Sequence, residues 1–147
     1  RTLRVLQHNR ASTLHVLSSM PTVTVDTSAE ITREAALVFI AAATKGLSEA
    51  TGAIEGHIHI QLRESQLMTW GGKAGGLDGA PHTAQIRVLT AGPALDAGKK
   101  NAIVSALLTP LASHVPKASS QVHFSSCELD CLAIDGLLLP DLIARDS

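Results

Sequence analysis

The 147-residue chain is apolar and nearly neutral, with 45% hydrophobic residues, 17% charged residues and a formal net charge of −1. This length fits one domain, and the composition excludes a disordered chain. Because there is no basic excess, no nucleic-acid partner is expected, and no apolar run is long enough for membrane insertion. The two cysteines, Cys127 and Cys131, exclude a disulfide framework and allow a reducing compartment.

The first twenty residues differ in charge from the rest of the chain. They contain three arginines and no acidic residue, whereas the remainder has an excess of acidic groups. A serine-rich, acid-poor segment with arginines is typical of a transit peptide. The alternative, which we favour, is an upstream extension with translation starting at Met20, because the first structural pattern begins directly after it. We therefore assign residues 1–20 as a leader or extension outside the fold, and 21–147 as the domain.

The domain begins with a predicted strand and helix. Residues 21–26 alternate with period two and are rich in β-branched side chains, which is typical of a strand. Thr27 and Glu30 have the spacing of a capping box, so we expect the helix to start there. Its apolar residues recur with helical period over 31–50, and Gly52 stands where a left-handed C-terminal cap is expected.

The same order of elements occurs a second time. Residues 57–62 alternate and predict a second strand, which is followed by a glycine-rich loop at 71–81. A further strand, helix and strand are predicted over residues 83–90, 96–114 and 121–125. Pro110 lies inside the second helix and predicts a kink or an early end.

This repeat predicts an α/β fold of the two-layer α+β sandwich type. Parallel strands joined by a helix cross over right-handedly, so two such units give a four-stranded mixed sheet with both helices on one face. Asp135-Gly136 between apolar runs predicts a C-terminal hairpin. We expect a neighbouring subunit to cover this apolar hairpin.

The other face of the predicted sheet is polar but carries few charges, which is unusual for a fully solvated surface. We therefore expect it to pack against further copies of the chain, and a closed ring of subunits would also satisfy the sheet edges. The residues predicted on this face are Thr22, Thr24, His57, His59, Gln61, Gln85, Arg87, His123 and Ser125.

Three histidines raise the question of a metal site. His57, His59 and His123 are ligands of the zinc type, but no confirming motif accompanies them, so we favour the alternative of histidines that hydrogen-bond at a subunit interface. The glycine-rich loop lacks the Gly-Lys-Ser/Thr ending of a phosphate-binding loop. The two cysteines are expected to be free, and neither a metal nor another cofactor is expected.

Three short segments after Met20-Pro21 resemble a known family. They are Ala-Thr-Gly at 50–52, Gln-Leu-Met-Thr-Trp-Gly-Gly at 66–72, and Pro81. Their spacing from a Met-Pro start is similar to that of the macrophage migration inhibitory factor (MIF) family of the tautomerase superfamily. The resemblance runs from Pro21 to about residue 125, with weaker agreement through the hairpin. It implies a homotrimer with the tautomerase fold.

The resemblance also implies an isomerase, which interconverts keto and enol forms of phenylpyruvate-like acids or isomerises dopachrome analogues. The general base would be Pro21, because a free N-terminal proline is a secondary amine whereas an internal proline is an amide. An α-amino group has a pKa of roughly 8, which an apolar pocket or a nearby cation lowers. It is then a neutral base near pH 7. If Met20 is retained, Pro21 simply begins a strand.

Other positions of the family site are altered in this chain. Ala53 stands where the family usually has a lysine that binds the substrate carboxylate, and the loss of such a charged hydrogen bond costs roughly 1.5–3 kcal/mol. We therefore expect weak phenylpyruvate activity or another small enolisable aromatic keto acid as substrate, with Arg87 or Lys73 as candidate replacement charges. The substrate-binding positions implied by the resemblance are Ala53, His57, Thr90, Ala91, His123 and Ser125.

Family members also act as secreted, cytokine-like signals. An alternative function is therefore a signalling protein of the same fold, with weak or no catalysis, that binds a cell-surface receptor. A third alternative is a trimer that has kept the fold and lost both functions. The resemblance implies a cytoplasmic location, with extracellular release by a non-classical route.

Overall fold

The computed structural model describes residues 20–134 and 136–145. The expectation for the first nineteen residues, and the Asp135 side of the predicted turn, lie outside these ranges. In chain order the elements are β1 (Pro21–Thr27), α1 (Arg33–Thr51), β2 (His59–Arg63), β3 (Thr69–Trp70), β4 (Lys73–Ala74), β5 (Ala84–Ala91), α2 (Ala97–Leu111), β6 (Ser120–Cys127), β7 (Ala133–Ile134), β8 (Leu137–Leu138) and α3 (Leu139–Arg145).

Four of the strands form one mixed sheet in the order β2-β1-β5-β6. The β1–β2 and β5–β6 pairs are parallel, and the central β1–β5 pair is antiparallel. Each parallel pair is the product of one strand–helix–strand unit, so the predicted repeat and the four-stranded mixed sheet are confirmed.

The core lies between one face of this sheet and the two long helices. Val23 and Val25 of β1 and Ile86 and Val88 of β5 point into it, and each is fully buried. They alternate with outward-facing residues, as a period of two requires. The helices contribute residues at helical spacing to the same cluster: Phe39, Ala43, Leu47, Ile103, Leu107 and Leu111. Both helices therefore cover the same face of the sheet, as predicted.

The start of α1 differs from the predicted capping box. The cap is Thr32, whose side chain accepts a hydrogen bond from the Ala35 backbone N–H, and the helix begins at Arg33. Thr27 is buried instead, and its hydroxyl donates to the carbonyl of Thr83. The Thr27–Glu30 prediction is wrong because the Thr27 hydroxyl joins the end of β1 to the residue before β5 and does not cap a helix. The C-terminal cap is Gly52, with a φ of 76°, as predicted.

The second strand begins two residues later than predicted. His57 lies in a single 3-10 turn over Glu55–His57, in which the His57 N–H donates to the carbonyl of Ile54. The assignment of His57 to the polar sheet face is therefore wrong. From His59 onward the strand alternates as expected, since Ile60 and Leu62 pack against the core.

The second helix ends at Leu111, three residues earlier than predicted. Pro110 has no backbone N–H to donate and therefore interrupts the hydrogen-bonding pattern in the last turn. The glycine-rich loop contains the two-residue strands β3 and β4, which pair with each other. The C-terminal hairpin is present as the β7–β8 pair. In the described ranges, no helix combines the length and apolar character needed to cross a membrane.

Candidate functional site

Pro21 is the first residue of β1 and is buried. It lies directly opposite Thr90 near the end of β5, and Thr90 is itself 3% exposed. A strand tolerates proline at its first position, because the missing N–H does not interrupt the hydrogen bonds that follow. The antiparallel β1–β5 pair therefore places Pro21 and two further predicted positions, Thr90 and Ala91, at one end of the sheet.

Met20 closes this end of the molecule. Its side chain is 6% exposed and forms a small apolar cluster with Ala91, separate from the main core. Residues of the C-terminal segment pack on this cluster: Cys127, Leu129, Leu132 and Leu137. As long as Met20 is attached, the nitrogen of Pro21 belongs to a peptide bond and has no basic lone pair.

Ala53 follows the left-handed turn at Gly52 and is 2% exposed. Its carbonyl accepts a hydrogen bond from the Ser48 hydroxyl at 2.7 Å, and its N–H donates to the Thr51 hydroxyl at 3.2 Å. This position is therefore tied into the end of α1. The position at which the resemblance implies a lysine is therefore part of a closely packed turn.

His57 is half-buried, and its Nδ1 atom is buried without a hydrogen-bond partner in the described ranges. A buried ring nitrogen without a partner costs about 1–3 kcal/mol. This atom therefore has an unused capacity to donate or accept, which a ligand, a water molecule or a neighbouring subunit can use.

His123 and Ser125 lie on β6, where both are exposed. Ser125 is opposite Leu89 and His123 is opposite Arg87. Because β5 separates β6 from β1, these positions lie about 10 Å or more from the β1 backbone, at two strand spacings. Within one chain they are therefore not in direct contact with Pro21, although Ser125 lines a cavity together with Thr90, the residue opposite Pro21.

The outer face of the sheet carries an ion cluster that sequence reasoning missed. Arg87 Nη2 lies 2.6 Å from Asp26 Oδ2, and Arg63 donates to the same oxygen at 2.9 Å. Arg63 Nε also lies 2.5 Å from Asp26 Oδ1, an ion-pair contact whose geometry is not that of a hydrogen bond. The signal was available in the strand register, since Arg63 is opposite Asp26 and Arg87 is diagonal to it.

This ion cluster also bears on the question of a replacement charge. Arg87 already has a carboxylate partner on the outer face. Lys73 is opposite Trp70 in the β3–β4 pair, in the glycine-rich segment. Neither side chain lines the cavity that lies next to Thr90, and a role for either as a replacement charge stays a prediction.

The cavities on the described part of the chain include three that differ in size and position. The largest, about 610 Å³, is an open groove between α1 and α2 that is lined mainly by small residues and lies away from Pro21. A second, about 240 Å³, lies beside Trp70 near the start of β5, roughly 20 Å along the strand from Thr90. The third, about 60 Å³, lies at the Pro21 end and is lined by Thr90, Ala94, Leu95, Lys100, Phe124, Ser125 and Ser126. The cavity next to the predicted Pro21 site is therefore the smallest of these three.

The histidines do not form a metal site within one chain. Residues 20–134 and 136–145 contain no group of three or more His, Cys, Asp or Glu side chains placed to hold a metal ion. His57 lies in the turn before β2, while His59 and His123 lie on opposite edge strands of the sheet.

Comparisons with known proteins identify the fold. No protein-family model matches the chain, and no curated protein sequence matches it. Among solved structures, the MIF2 protein of Leishmania major matches with a TM-score of 0.69 and 15% identity over 80% of this chain and 96% of its own. A fused 4-oxalocrotonate tautomerase (4-OT), described as an asymmetric trimer, matches with a TM-score of 0.69 and 20% identity over 82% and 98%. The protein Pt0534, inactivated by 2-oxo-3-pentynoate, matches with a TM-score of 0.68 and 14% identity over 84% and 99%.

The chain therefore has the fold shared by MIF proteins and 4-OT tautomerases. The similarity covers almost the whole length of these proteins, so nearly the entire fold is represented in this one chain. The fold expected from the sequence resemblance is thereby confirmed. The site residues themselves, with Pro21 foremost, remain predictions.

Proposed function

We propose that this chain is a keto–enol tautomerase, with Pro21 as its general base after removal of Met20. Its substrate is a small enolisable aromatic keto acid of the phenylpyruvate type. The observation that carries the proposal is the position of Pro21, buried at the start of β1 in a fold of the MIF and 4-OT type. The inactivation of the similar Pt0534 by an oxo-pentynoate supports keto-acid chemistry in this fold.

The proposed keto–enol conversion depends on the basicity of the free Pro21 amine. Once Met20 is removed, the neutral Pro21 nitrogen takes a proton from the carbon next to the keto group, and the protonated Pro21 then gives that proton to the keto oxygen, which restores the neutral amine; ketonisation is the reverse of these two transfers. One C–H bond is broken and one O–H bond is formed, with no net gain or loss of atoms. The apolar surroundings of Pro21 favour the neutral amine at pH 7, which is the form that a general base requires.

The proposed assembly is a homotrimer. The similar fused 4-OT is described as a trimer. The outer sheet face of this chain carries exposed polar residues, such as Thr22, His59 and His123, which a neighbouring subunit can contact. Within one chain, His123 lies two strands away from Pro21 and does not line the cavity beside Thr90, so it reaches a Pro21 site only from a neighbouring subunit. The trimer thus gives a role to a position that the single chain leaves apart.

The decisive experiment measures phenylpyruvate ketonisation by two forms of the protein, one beginning at Arg1 and one at Met20. Intact mass establishes which form exposes Pro21. We expect activity only in the form with a free Pro21. A Pro21→Gly variant keeps an α-amine but loses the secondary amine, and we expect its kcat/KM to fall at least tenfold. A trimer with a free Pro21 and no activity on aromatic keto acids would contradict the proposal.

A second candidate is a signalling protein that binds a cell-surface receptor and has little catalysis. The observation that favours it is Ala53, which is uncharged and buried where a carboxylate-binding lysine is expected. Binding of the Pro21→Gly variant to cells separates the two functions, because a signal survives the loss of the base. Export is tested directly by assaying culture medium and cytoplasm for the protein.

A further inference from the structure

We propose that the small cavity at the Pro21 end of the sheet binds a carboxylate through Lys100. This inference rests on the proposed function, since the ligand is the carboxylate of the keto acid whose carbon Pro21 deprotonates. Lys100 was not among the residues predicted from the sequence. It supplies, from α2, the positive charge that is absent at Ala53.

The lining of the cavity is suited to an anion. Lys100 brings an ammonium group, and Thr90 and Ser126, which are paired across β5 and β6, bring two hydroxyl groups that can donate hydrogen bonds. Ser125 also lines the cavity, but its side chain alternates to the other face of the sheet. The remaining wall is apolar and contains Ala94, Leu95 and Phe124. At about 60 Å³ the cavity exceeds the roughly 10–15 Å³ that one water needs, but it is too small for a whole aromatic acid. It therefore fits one end of the substrate.

The charge of Lys100 is not neutralised by an acidic neighbour. The ion pairs of Arg63 and Arg87 both use Asp26, and no ion pair of Lys100 is found within residues 20–134 and 136–145. Asp96, on the same helix, uses its Oδ1 to accept a hydrogen bond from the backbone N–H of Lys99 at the helix start. The Lys100 Nζ atom lies 5.8 Å from the centre of the Phe124 ring, which holds the ammonium group over the cavity wall.

The position of the cavity allows one keto acid to contact both the Lys100 ammonium group and the Pro21 nitrogen. Thr90 lines the cavity and is directly opposite Pro21 in the β1–β5 pair, where paired Cα atoms are about 4.5–5.5 Å apart. In a phenylpyruvate-type acid, the carbon that loses its proton is two carbon–carbon bonds from the carboxylate. A carboxylate held at Lys100 therefore directs that carbon toward the Pro21 end of the sheet.

The test uses benzoate, an aromatic carboxylate that has no enolisable carbon, and the full 147-residue chain. Binding is measured by isothermal titration calorimetry for the wild type, Lys100→Gln and Lys99→Gln. Lys99 is the matched control, because it is the adjacent half-buried lysine on α2 and does not line the cavity. We expect Lys100→Gln to weaken benzoate binding at least tenfold and Lys99→Gln to change it less than twofold. Lys100→Arg keeps the charge and should retain most of the affinity.

A second measurement separates this inference from the proposed function. In the form with a free Pro21, Lys100→Gln should raise the KM for phenylpyruvate about tenfold with a much smaller change in kcat. Charge-dependent benzoate binding by a protein without tautomerase activity would support the anion site and overturn the proposed function. An active enzyme whose KM and benzoate affinity are both unchanged in Lys100→Gln would overturn the anion site alone. Circular dichroism of each variant confirms that the fold is intact.

Discussion

Gly46 of α1 lies directly against Ala106 of α2. A Cβ atom placed on residue 46 would lie 2.7 Å from the Ala106 Cβ and 3.3 Å from its Cα. Real side chains do not approach each other this closely, so the glycine is what allows the helices to pack at this distance. Gly46 lowers the intrinsic helix propensity of α1, but its missing side chain allows α1 and α2 to pack closely.

Replacing Gly46 by alanine should therefore destabilise the protein. The substitution gains about 1 kcal/mol of helix propensity, but overpacking at a tight contact costs about 1–3 kcal/mol. We expect a net loss of about 1 kcal/mol in the free energy of unfolding, measured in urea at fixed protein concentration. The double variant Gly46→Ala/Ala106→Gly exchanges the two residues and should recover most of the loss. A single variant more stable than the wild type would show that helix propensity outweighs the contact.

The glycine-rich segment offers a matched pair of substitutions. Gly76 and Gly79 both have a positive φ, 77° and 75°, so alanine is strained at either position. A Cβ at Gly79 would meet open space, whereas one at Gly76 would overlap the imidazole of His82. We expect Gly79→Ala to cost about 1 kcal/mol and Gly76→Ala about 2 kcal/mol or more, from urea unfolding. Equal costs would mean that the His82 ring moves away freely.

Introducing a lysine at position 53 should not create the carboxylate contact that the resemblance to the MIF family implies. Ala53 is 2% exposed and both its backbone groups are hydrogen-bonded to side chains of α1, so a long cationic side chain has to displace its surroundings. We expect Ala53→Lys to lower the free energy of unfolding by about 1–3 kcal/mol without improving the KM for phenylpyruvate. Ile54→Lys, at a neighbouring position that is 56% exposed, is the control and should be nearly neutral. A large fall in KM for Ala53→Lys would contradict the assignment of the carboxylate to Lys100.

The exposed thiol of Cys131 should react slowly with alkylating agents. Partial desolvation and the nearby Asp130 carboxylate, which lies 3.7 Å from Sγ, raise the pKa of the Cys131 thiol. A higher pKa means less thiolate at pH 8, and the thiolate is the reactive form. Asp130→Asn should lower this pKa and speed iodoacetamide labelling severalfold at pH 8, as followed by mass spectrometry of the Cys131 peptide. Glu128→Gln should leave the rate almost unchanged, and the gain should disappear at high pH.

The fold was predictable from the sequence because the strands and the helices bury their apolar residues in one shared core. Burial on one face repeats the apolar residues every second position in a strand and every third or fourth position in a helix. Val23, Val25, Ile86 and Val88 alternate in the sequence and point into the core in the structure. The polar residues that cap or join elements were less predictable. Thr27 has the spacing of a helix cap, yet its hydroxyl bonds to Thr83, which is 56 positions away in the chain. No local pattern contains that partner.

The site was only partly predictable, for a related reason. Pro21, Thr90 and Ala91 were predicted from the resemblance, and strand pairing places them at one end of the sheet, while their roles stay predictions. Lys100, which is proposed above to bind the carboxylate, was not predicted because a lysine in the first part of α2 is equally typical of a solvated helix surface. His57 was placed on the sheet face because alternation continues backward from His59 into the turn. A turn of three residues leaves no periodicity that would reveal it.

The burial of Met20 fixes the order of events if Pro21 is to become a free amine. An aminopeptidase must hold the residue that it removes in its own active site, and here that side chain is 6% exposed beneath the C-terminal segment. The peptide bond to be cut also leads directly into β1, in the middle of the sheet. We therefore expect Met20 to be removed faster from the emerging chain than from the folded domain. If Pro21 acts as the proposed base, a chain that folds before Met20 is removed keeps a blocked amine, and the relative rates of the two steps set the fraction of active protein.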